Sequence, residues 1–176
     1  VTATDPDGAA QNLSFTLSAG ADKARFSIDP STGVLSFLTA PDYEAPLDAN
    51  GDNIYEVVVQ VADGTGAVDL QAIAISVTAV NDNTPTITSS ATASVAENTT
   101  AVLTVTASDA DRPAETLTYS LGGGADVALF AIDASTGALS FITAPDYETP
   151  LDAGGDNIYN VTVEVTDGDF SSSQAL

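Results

Sequence analysis

The two halves of the sequence are copies of each other, and this repeat constrains the fold more than any single motif. Val1 returns as Val105, 104 positions later, and no gap is needed from position 1 to 64. About two-thirds of those positions are identical. A period of this length exceeds the ~20–50 residues of a solenoid unit and suits tandem whole domains.

The same offset gives the expected boundaries. We expect repeat one at 1–80, a short linker at 81–85 and repeat two at 86–176. The counterpart of the segment around Glu97 would precede position 1, so repeat one should lack its first strand. The last strand of repeat two should be incomplete, which suggests a piece of a longer protein.

Alternation of apolar residues predicts β-strands in each copy. Tyr55, Val57 and Val59 alternate with Glu56, Val58 and Gln60, and the stretch at 159–165 repeats the pattern. A period of two buries one face of a strand. About seven short strands per ~100 residues favour an all-β fold of two tandem immunoglobulin-like Greek-key sandwiches. Turns are expected at 7–8, 31–33, 50–51 and 63–64, and core packing is expected for Tyr43, Tyr55, Tyr147 and Tyr159.

The charge of the chain is one-sided, with 25 acidic and 3 basic residues and a formal net charge of -22. Nucleic acids and anionic membranes are poor partners for it because both need a basic surface. No apolar run approaches the ~18 residues of a membrane span, so we expect no membrane insertion. The excess of carboxylates indicates cation binding or solvation at high salt, whereas 44% hydrophobic residues disfavour disorder.

The carboxylates recur in pairs at the ends of expected strands. Two acids at i and i+2 of an extended chain face the same side and converge. Asp63 and Asp167 each end the long alternating strand, and Glu97 follows the linker. Since basic residues are so few, a divalent cation is the expected counter-charge. The pairs are Asp5/Asp7, Asp42/Glu44, Asp109/Asp111 and Asp146/Glu148.

The linker itself carries cation ligands. Asn81, Asp82 and Asn83 offer side-chain amide, carboxylate and backbone oxygens in a row, and Pro85 keeps the segment extended. Ca²⁺ takes six to eight such oxygens. The N-D-N-x-P string resembles the inter-repeat linker of cadherins, and the whole chain resembles cadherin repeats. The matching motifs are x-E-N at Glu97, D-x-D at Asp109, D-x-E at Asp42, and F-x-I-D-x-x-T-G at 26–33 and 130–137. Asp167 is a further matching position.

This resemblance implies three groups of Ca²⁺ ligands. A central site would draw on both repeats and the linker, and each of the other two groups would be half of a site shared with a further repeat. The central group is Asp42, Glu44, Asn81, Asp82, Asn83, Asp109, Asp111 and Asp167. The upstream group is Asp5, Asp7 and Asp63, and the downstream group is Glu97, Asp146 and Glu148.

Some positions depart from the family pattern. The usual aspartate before the linker is Ala79, and the usual arginine of D-R-E is Tyr43 or Tyr147. Tryptophan is absent, so the exchange of an N-terminal tryptophan is not expected. Near-identical repeats rich in alanine, threonine and glycine look most like the cadherin-type repeats of large bacterial surface proteins.

A second loop has the look of a cation site. Asp48, Asn50, Asp52 and Asn53 place oxygens at nearby positions, but the glycine and distal glutamate of an EF-hand are missing and repeat two has Gly154 in place of Asn50. We expect a solvated turn there.

The resemblance implies a calcium-binding extracellular adhesion module, in which junction calcium stiffens a longer repeat array on a cell surface. Its partners would be other cadherin-like repeats, cell-surface proteins or glycans, and homophilic binding is what the family name suggests. The alternative is a carbohydrate-binding module of a secreted or surface bacterial protein. A two-carboxylate glycosidase is disfavoured because the acids cluster at domain ends, so no enzyme is expected.

Overall fold

The computed structural model describes residues 1–6 and 12–176. The chain divides into two compact units, Val1–Val80 and Asn81–Leu176. Strands account for the regular structure of both, and one short 3-10 turn occurs in each, at Lys23–Arg25 and Val127–Leu129. No helix in the described ranges is long and apolar enough to cross a membrane.

The described residues of unit 1 form two antiparallel sheets. The larger has the strand order β1-β4-β5, and the smaller is the hairpin β2-β3. The turn of that hairpin is at Gly33, which has a φ of 68° and lies between residues paired across the two strands, as the 31–33 turn predicts. The strands are β1 (Ser14–Ala19), β2 (Phe26–Ile28), β3 (Leu35–Phe37), β4 (Ile54–Ala62) and β5 (Val68–Ser76).

Unit 2 repeats this design with additional strands. One sheet has the order β13-β12-β9, a second has β10-β11-β7, and β6 pairs with β8. The strands are β6 (Thr86–Ile87), β7 (Ala101–Thr104), β8 (Ala107–Ser108), β9 (Thr118–Gly123), β10 (Phe130–Ile132), β11 (Ala138–Phe141), β12 (Thr162–Thr166) and β13 (Ser171–Ala175).

The alternating strand supplies the core of each unit. In unit 1, Tyr55, Val57 and Val59 are 2%, 1% and 2% exposed, whereas Glu56 between them is exposed. The ring of Tyr55 packs edge-on against Phe37, with centroids 5.1 Å apart. Phe26 of the opposite hairpin completes the cluster. The period of two therefore places the core as predicted.

Unit 2 has the same core. Val161 and Val163 are buried with Phe130, Leu139 and Phe141, which come from the other sheet. The tyrosine prediction is wrong for one residue: Tyr147 is 66% exposed. Both of its backbone groups are committed to a polar loop, since its N–H donates to Glu97 and its carbonyl accepts the Asn157 side chain. These bonds hold its ring outside the core.

The two copies differ at one turn. Ala62 pairs with Val68 in unit 1, whereas the equivalent Thr166 pairs with Ser171 in unit 2. The turn at 167–170 is therefore one residue shorter than the turn at 63–67. After this point the structural offset between the units is 103 rather than 104, and Leu176 of unit 2 takes the place of Ile73 of unit 1.

A buried aspartate ties the long loop of each unit to its sheet. Asp22 is 4% exposed, and its two carboxylate oxygens accept the backbone N–H groups of Ala49 and Glu56, each at 2.7 Å. Just before it, Gly20 has a φ of 112°, and a side chain there would lie 2.5 Å from the Glu56 carbonyl oxygen. Gly124 and Asp126 repeat this arrangement in unit 2. No motif or strand pattern in the sequence predicts that these two aspartates are buried.

Candidate metal centre

Three aspartates of unit 2 come together at strand ends. Asp109 and Asp111 follow β8, and Asp167 follows β12. One carboxylate oxygen from each lies within 4.8 Å of the other two. Asp111 is the most buried of the three, at 4% exposed. The structure thus brings together three of the predicted ligands, as the D-x-D spacing and the strand-end position indicate.

The linker asparagines lie against this cluster. Asn83 donates its main-chain N–H to Asp111 Oδ2 and its side-chain amide to Asp111 Oδ1, at 3.1 and 2.7 Å. Asn81 donates its side-chain amide to Glu115 Oε2 at 2.6 Å. Asp82 is exposed and accepts the Asn83 side chain at 3.0 Å.

Three oxygens at this site are buried and have no hydrogen-bond partner. They belong to Asn81 (Oδ1), Asp109 (Oδ2) and Asp167 (Oδ2). A buried acceptor left without a donor costs free energy, and a buried carboxylate oxygen costs more. Oxygens of amides and carboxylates are the ligands that Ca²⁺ takes. The residues present therefore fit a hard cation.

Hydrogen bonds keep two of the aspartates ionised. The Asn83 side chain, together with its backbone N–H, lowers the pKa of Asp111 against the opposing effect of burial. The Phe170 backbone N–H is the largest cause of the lowered pKa of Asp167, whose Oδ1 it contacts at 2.7 Å. Both carboxylates are thus in the charged form that a cation needs.

Glu115 is a further acid at this site that the motifs do not include. Burial raises the pKa of Glu115, and the charges of Asp167, Asp111, Asp169 and Asp109 raise it further. A carboxylate in this setting is destabilised by its neighbours, which a bound cation would relieve. Glu115 lies in an irregular stretch before β9, where no periodicity marks it.

A second group of acids lies elsewhere in unit 2. Glu97, Asp146 and Glu148 each offer an oxygen within 4.8 Å of the other two, and all three are exposed. Glu97 accepts the Tyr147 N–H at 3.1 Å, and Asp146 accepts the Glu148 N–H at 3.0 Å. The predicted downstream group therefore converges within the unit.

Two predicted ligands of unit 1 accept hydrogen bonds within their own turns. Asp42 accepts the backbone N–H groups of Glu44 and Ala45, at 2.9 and 3.1 Å. Asp63 accepts four donors from its own turn, among them the Thr65 hydroxyl at 2.7 Å. Asp5 is half-buried, and Asp7, with the turn expected at 7–8, lies outside the described residues. The upstream group stays a prediction.

The loop at 48–53 is a turn organised by a buried aspartate. Asp48 is 8% exposed and accepts the N–H groups of Asp52 and Asn53, at 2.9 and 3.2 Å. Asp152 makes the same bonds in unit 2. The turn was expected, but Asp48 is not solvated, because its oxygens face main-chain amides. These bonds, rather than a cation, explain the acid at this place.

Two β-sandwiches of one design, with carboxylates and amides gathered at strand ends, define a tandem-repeat protein suited to bind hard cations. The cadherin-domain family model matches residues 1–89 and 91–175. The chain belongs to the cadherin family. The sequence-based prediction of two tandem sandwiches is confirmed by this match and by solved structures.

Curated relatives are long animal proteins of which this chain spans a small part. Mouse Protocadherin-16 is 32% identical over 179 residues, 96% of this chain and 5% of that protein. Mouse Cadherin-related family member 3 is 34% identical over 183 residues, 96% of this chain and 21% of that protein. Cadherins are a non-enzymatic adhesion family whose ectodomain repeats are extracellular, so the predicted absence of enzyme activity and the predicted location are confirmed.

Solved structures show the same fold. Human protocadherin-24 EC1-2 Form II has a TM-score of 0.73 at 22% identity and covers 100% of this chain and 81% of that one. Mouse cadherin-23 EC22-24 has a TM-score of 0.66 at 26% identity, covering 94% of this chain and 51% of that one.

Proposed function

We propose that this chain is a calcium-binding adhesion module and that unit 2 holds one Ca²⁺ through Asn81, Asp109, Asp111 and Asp167. The observation that carries the proposal is the set of buried, unpartnered oxygens on Asn81, Asp109 and Asp167. Bound Ca²⁺ would supply the positive charge that these oxygens lack. The backbone carbonyl of Asn83 is a further candidate ligand, since Asn83 is already docked on Asp111.

The rest of the central group extends the proposal to the junction of the repeats. Asp42 and Glu44 belong to repeat one. Asp82 lies in the linker, between the predicted ligands of repeat one and those of repeat two along the sequence. If one ion cluster takes ligands from both sides of the linker, the linker stops acting as a hinge and a repeat array becomes stiffer. The family resemblance and the order of these residues along the chain support this part.

The outer groups would serve further repeats of the array. Glu97, Asp146 and Glu148 already converge in unit 2, which supports a downstream half-site. Asp5, Asp7 and Asp63 form its proposed upstream counterpart by sequence alone. We also propose that the whole protein binds homophilically and carries a membrane anchor. An origin among bacterial surface proteins is proposed from composition alone, whereas the relatives named above are animal proteins.

Calorimetric titration of the chain with Ca²⁺ tests the core of the proposal. We expect binding in the millimolar to submillimolar range that extracellular modules show, about 10⁻⁴–10⁻³ M. Asp109→Asn should weaken it because a charged ligand is lost, whereas Asp69→Asn, on exposed β5, should not. A chain that binds no Ca²⁺, or an Asp109→Asn variant that binds like the parent, would overturn the proposal.

Carbohydrate binding remains as the alternative function, and the structure offers it little support. A sugar groove needs exposed aromatic rings. Tyr147 and Phe170 are exposed, but Phe26, Phe37 and Tyr55 pack on one another in unit 1. Phe130, Phe141 and Tyr159 do the same in unit 2. A glycan array with and without Ca²⁺ would test the alternative, since specific glycan binding that does not depend on Ca²⁺ would favour the carbohydrate-binding module.

A further inference from the structure

The side-chain amide of Asn81 has two ends with opposite roles. Its nitrogen donates to Glu115 Oε2 at 2.6 Å, and its oxygen is buried without a partner. The N–H₂ group and the oxygen of an amide lie on opposite sides, so an acceptor that holds the N–H₂ group leaves the oxygen facing the other way. Glu115 provides that acceptor, from 34 positions further along the chain.

We propose that Glu115 is a positioning residue of the unit 2 cation site, which fixes the Asn81 amide with its oxygen toward the cation. The inference rests on the proposed calcium site. Glu115 acts through Asn81, as groups behind a metal ligand commonly do, and loss of such a partner typically weakens metal binding 10- to 100-fold. None of the family motifs identified in the sequence includes Glu115.

Two features of the site support this role. Asn81 is itself a proposed ligand, so its 2.6 Å hydrogen bond to Glu115 Oε2 places that carboxylate next to the site. It is half-buried, which places its hydrogen bond to Asn81 in partial shelter from water. An acid held among four aspartates is unfavourable by itself, and its bond to Asn81 gives it a specific task there.

The test separates the hydrogen bond from the charge. Glu115→Gln keeps an acceptor oxygen for the Asn81 N–H₂ and loses the charge, whereas Glu115→Ala loses both. Asp169→Asn is the matched control for charge, because Asp169 acts on Glu115 through its charge and its own backbone N–H bond to Asp167 is kept. All four chains are titrated with Ca²⁺ by calorimetry and melted in chelator.

We expect Glu115→Ala to bind Ca²⁺ about 10- to 100-fold more weakly than the parent. Glu115→Gln should bind as Asp169→Asn does, and all melting temperatures in chelator should agree. As a second readout, the NMR signals of the Asn81 side-chain N–H₂ should keep their parent positions in Glu115→Gln and shift in Glu115→Ala.

Different failures have different meanings. A parent chain that binds no Ca²⁺ overturns the proposed function, and this inference with it. If the parent binds and Glu115→Ala binds as well as Asp169→Asn, the positioning role alone is wrong. The positioning role is also wrong if Glu115→Gln loses as much Ca²⁺ affinity as Glu115→Ala, because the lost charge would then explain the effect.

Discussion

Asn83 holds Asp111 with both of its N–H donors, the main-chain amide at 3.1 Å and the side-chain amide at 2.7 Å. One residue of the linker thus engages both oxygens of a predicted ligand. Each carboxylate oxygen keeps a further lone pair, so the pairing leaves room for an ion. These bonds hold Asn83 against Asp111, and a linker held in this way lowers the entropy that cation binding must overcome.

Asn83→Ala should weaken Ca²⁺ binding by about tenfold, in the range for loss of an orienting partner. The variant loses the side-chain hydrogen bond to Asp111, and with it part of what holds the linker in place. Asn50→Ala is the matched control, since Asn50 donates to Asp52 over 2.9 Å in an exposed loop. Calorimetric titration of the two variants gives the comparison, and equal affinities would contradict the role of Asn83.

Asp82→Ala and Asp48→Ala should have opposite effects. Asp82 is exposed and accepts the Asn83 side chain, so its loss should lower Ca²⁺ affinity and leave the melting temperature in chelator unchanged. Asp48 holds two main-chain amides, so its loss should lower the melting temperature and leave Ca²⁺ stoichiometry unchanged. Titration and thermal melting of both variants measure this. The prediction is wrong if Asp48→Ala lowers Ca²⁺ affinity more than Asp82→Ala does.

Removal of Ca²⁺ should lower the melting temperature of the chain. A ligand that binds only the folded state at ~100 times its dissociation constant stabilises it by about 2.7 kcal/mol. Mg²⁺ should substitute poorly because it requires a tighter octahedral shell. Calorimetric melts in chelator, Ca²⁺ and Mg²⁺ measure this, and small-angle scattering in the same buffers should show a longer particle with Ca²⁺ if the junction stiffens.

Asp22→Ala should destabilise unit 1 by on the order of 3 kcal/mol. The change leaves two main-chain N–H groups without their acceptor in a buried place, and each such group costs ~1–3 kcal/mol. Ser27→Ala, on an exposed position of β2, is the control. Denaturant unfolding in chelator is the measurement, and a change below about 1 kcal/mol would count against the reading of this bond pair.

Stability should fall at low pH in part through Asp29. The backbone N–H groups of Thr32 and Ser31 lower the pKa of Asp29 below its ordinary 3.8. A lowered folded-state pKa means that the contribution is complete above the unfolded value and is lost as the pH falls through the folded one. Thermal melts of the parent and Asp29→Asn in chelator should therefore converge as the pH drops below 3.8. A gap that stays constant would refute this.

The parts of the fold that follow from local pattern were predictable. The strand with Tyr55, Val57 and Val59 is recognisable because burial on one face leaves a period of two in the sequence. The gathering of Asp109, Asp111 and Asp167 was predictable from the repeated motifs. Short-range spacing predicts the strand and the Asp109/Asp111 pair, whereas the addition of Asp167, 56 positions after Asp111, follows from the resemblance to cadherin repeats.

The remaining features depend on contacts that spacing does not encode. Glu115 meets Asn81 across 34 positions from an irregular segment. Asp22 is a buried acid, contrary to the usual preference of aspartate for the surface, and only its two main-chain donors explain it. The shorter turn after Asp167, by contrast, is visible in the sequence, because Gln174-Ala175 repeats Gln71-Ala72 at an offset of 103.

Gly20 and Asp22 also define a signature by which further copies of this repeat could be recognised in a longer polypeptide. Any side chain at Gly20 would collide with the Glu56 backbone, so glycine is obligatory there. Asp22 then needs donors at fixed distances, 27 and 34 positions ahead, and Asp126 uses the same two separations. A Gly-x-Asp, with residues other than proline 27 and 34 positions after the aspartate to donate their backbone N–H groups, would mark a repeat whose loop is anchored this way. The mark would persist even where the calcium ligands of the repeat had been lost.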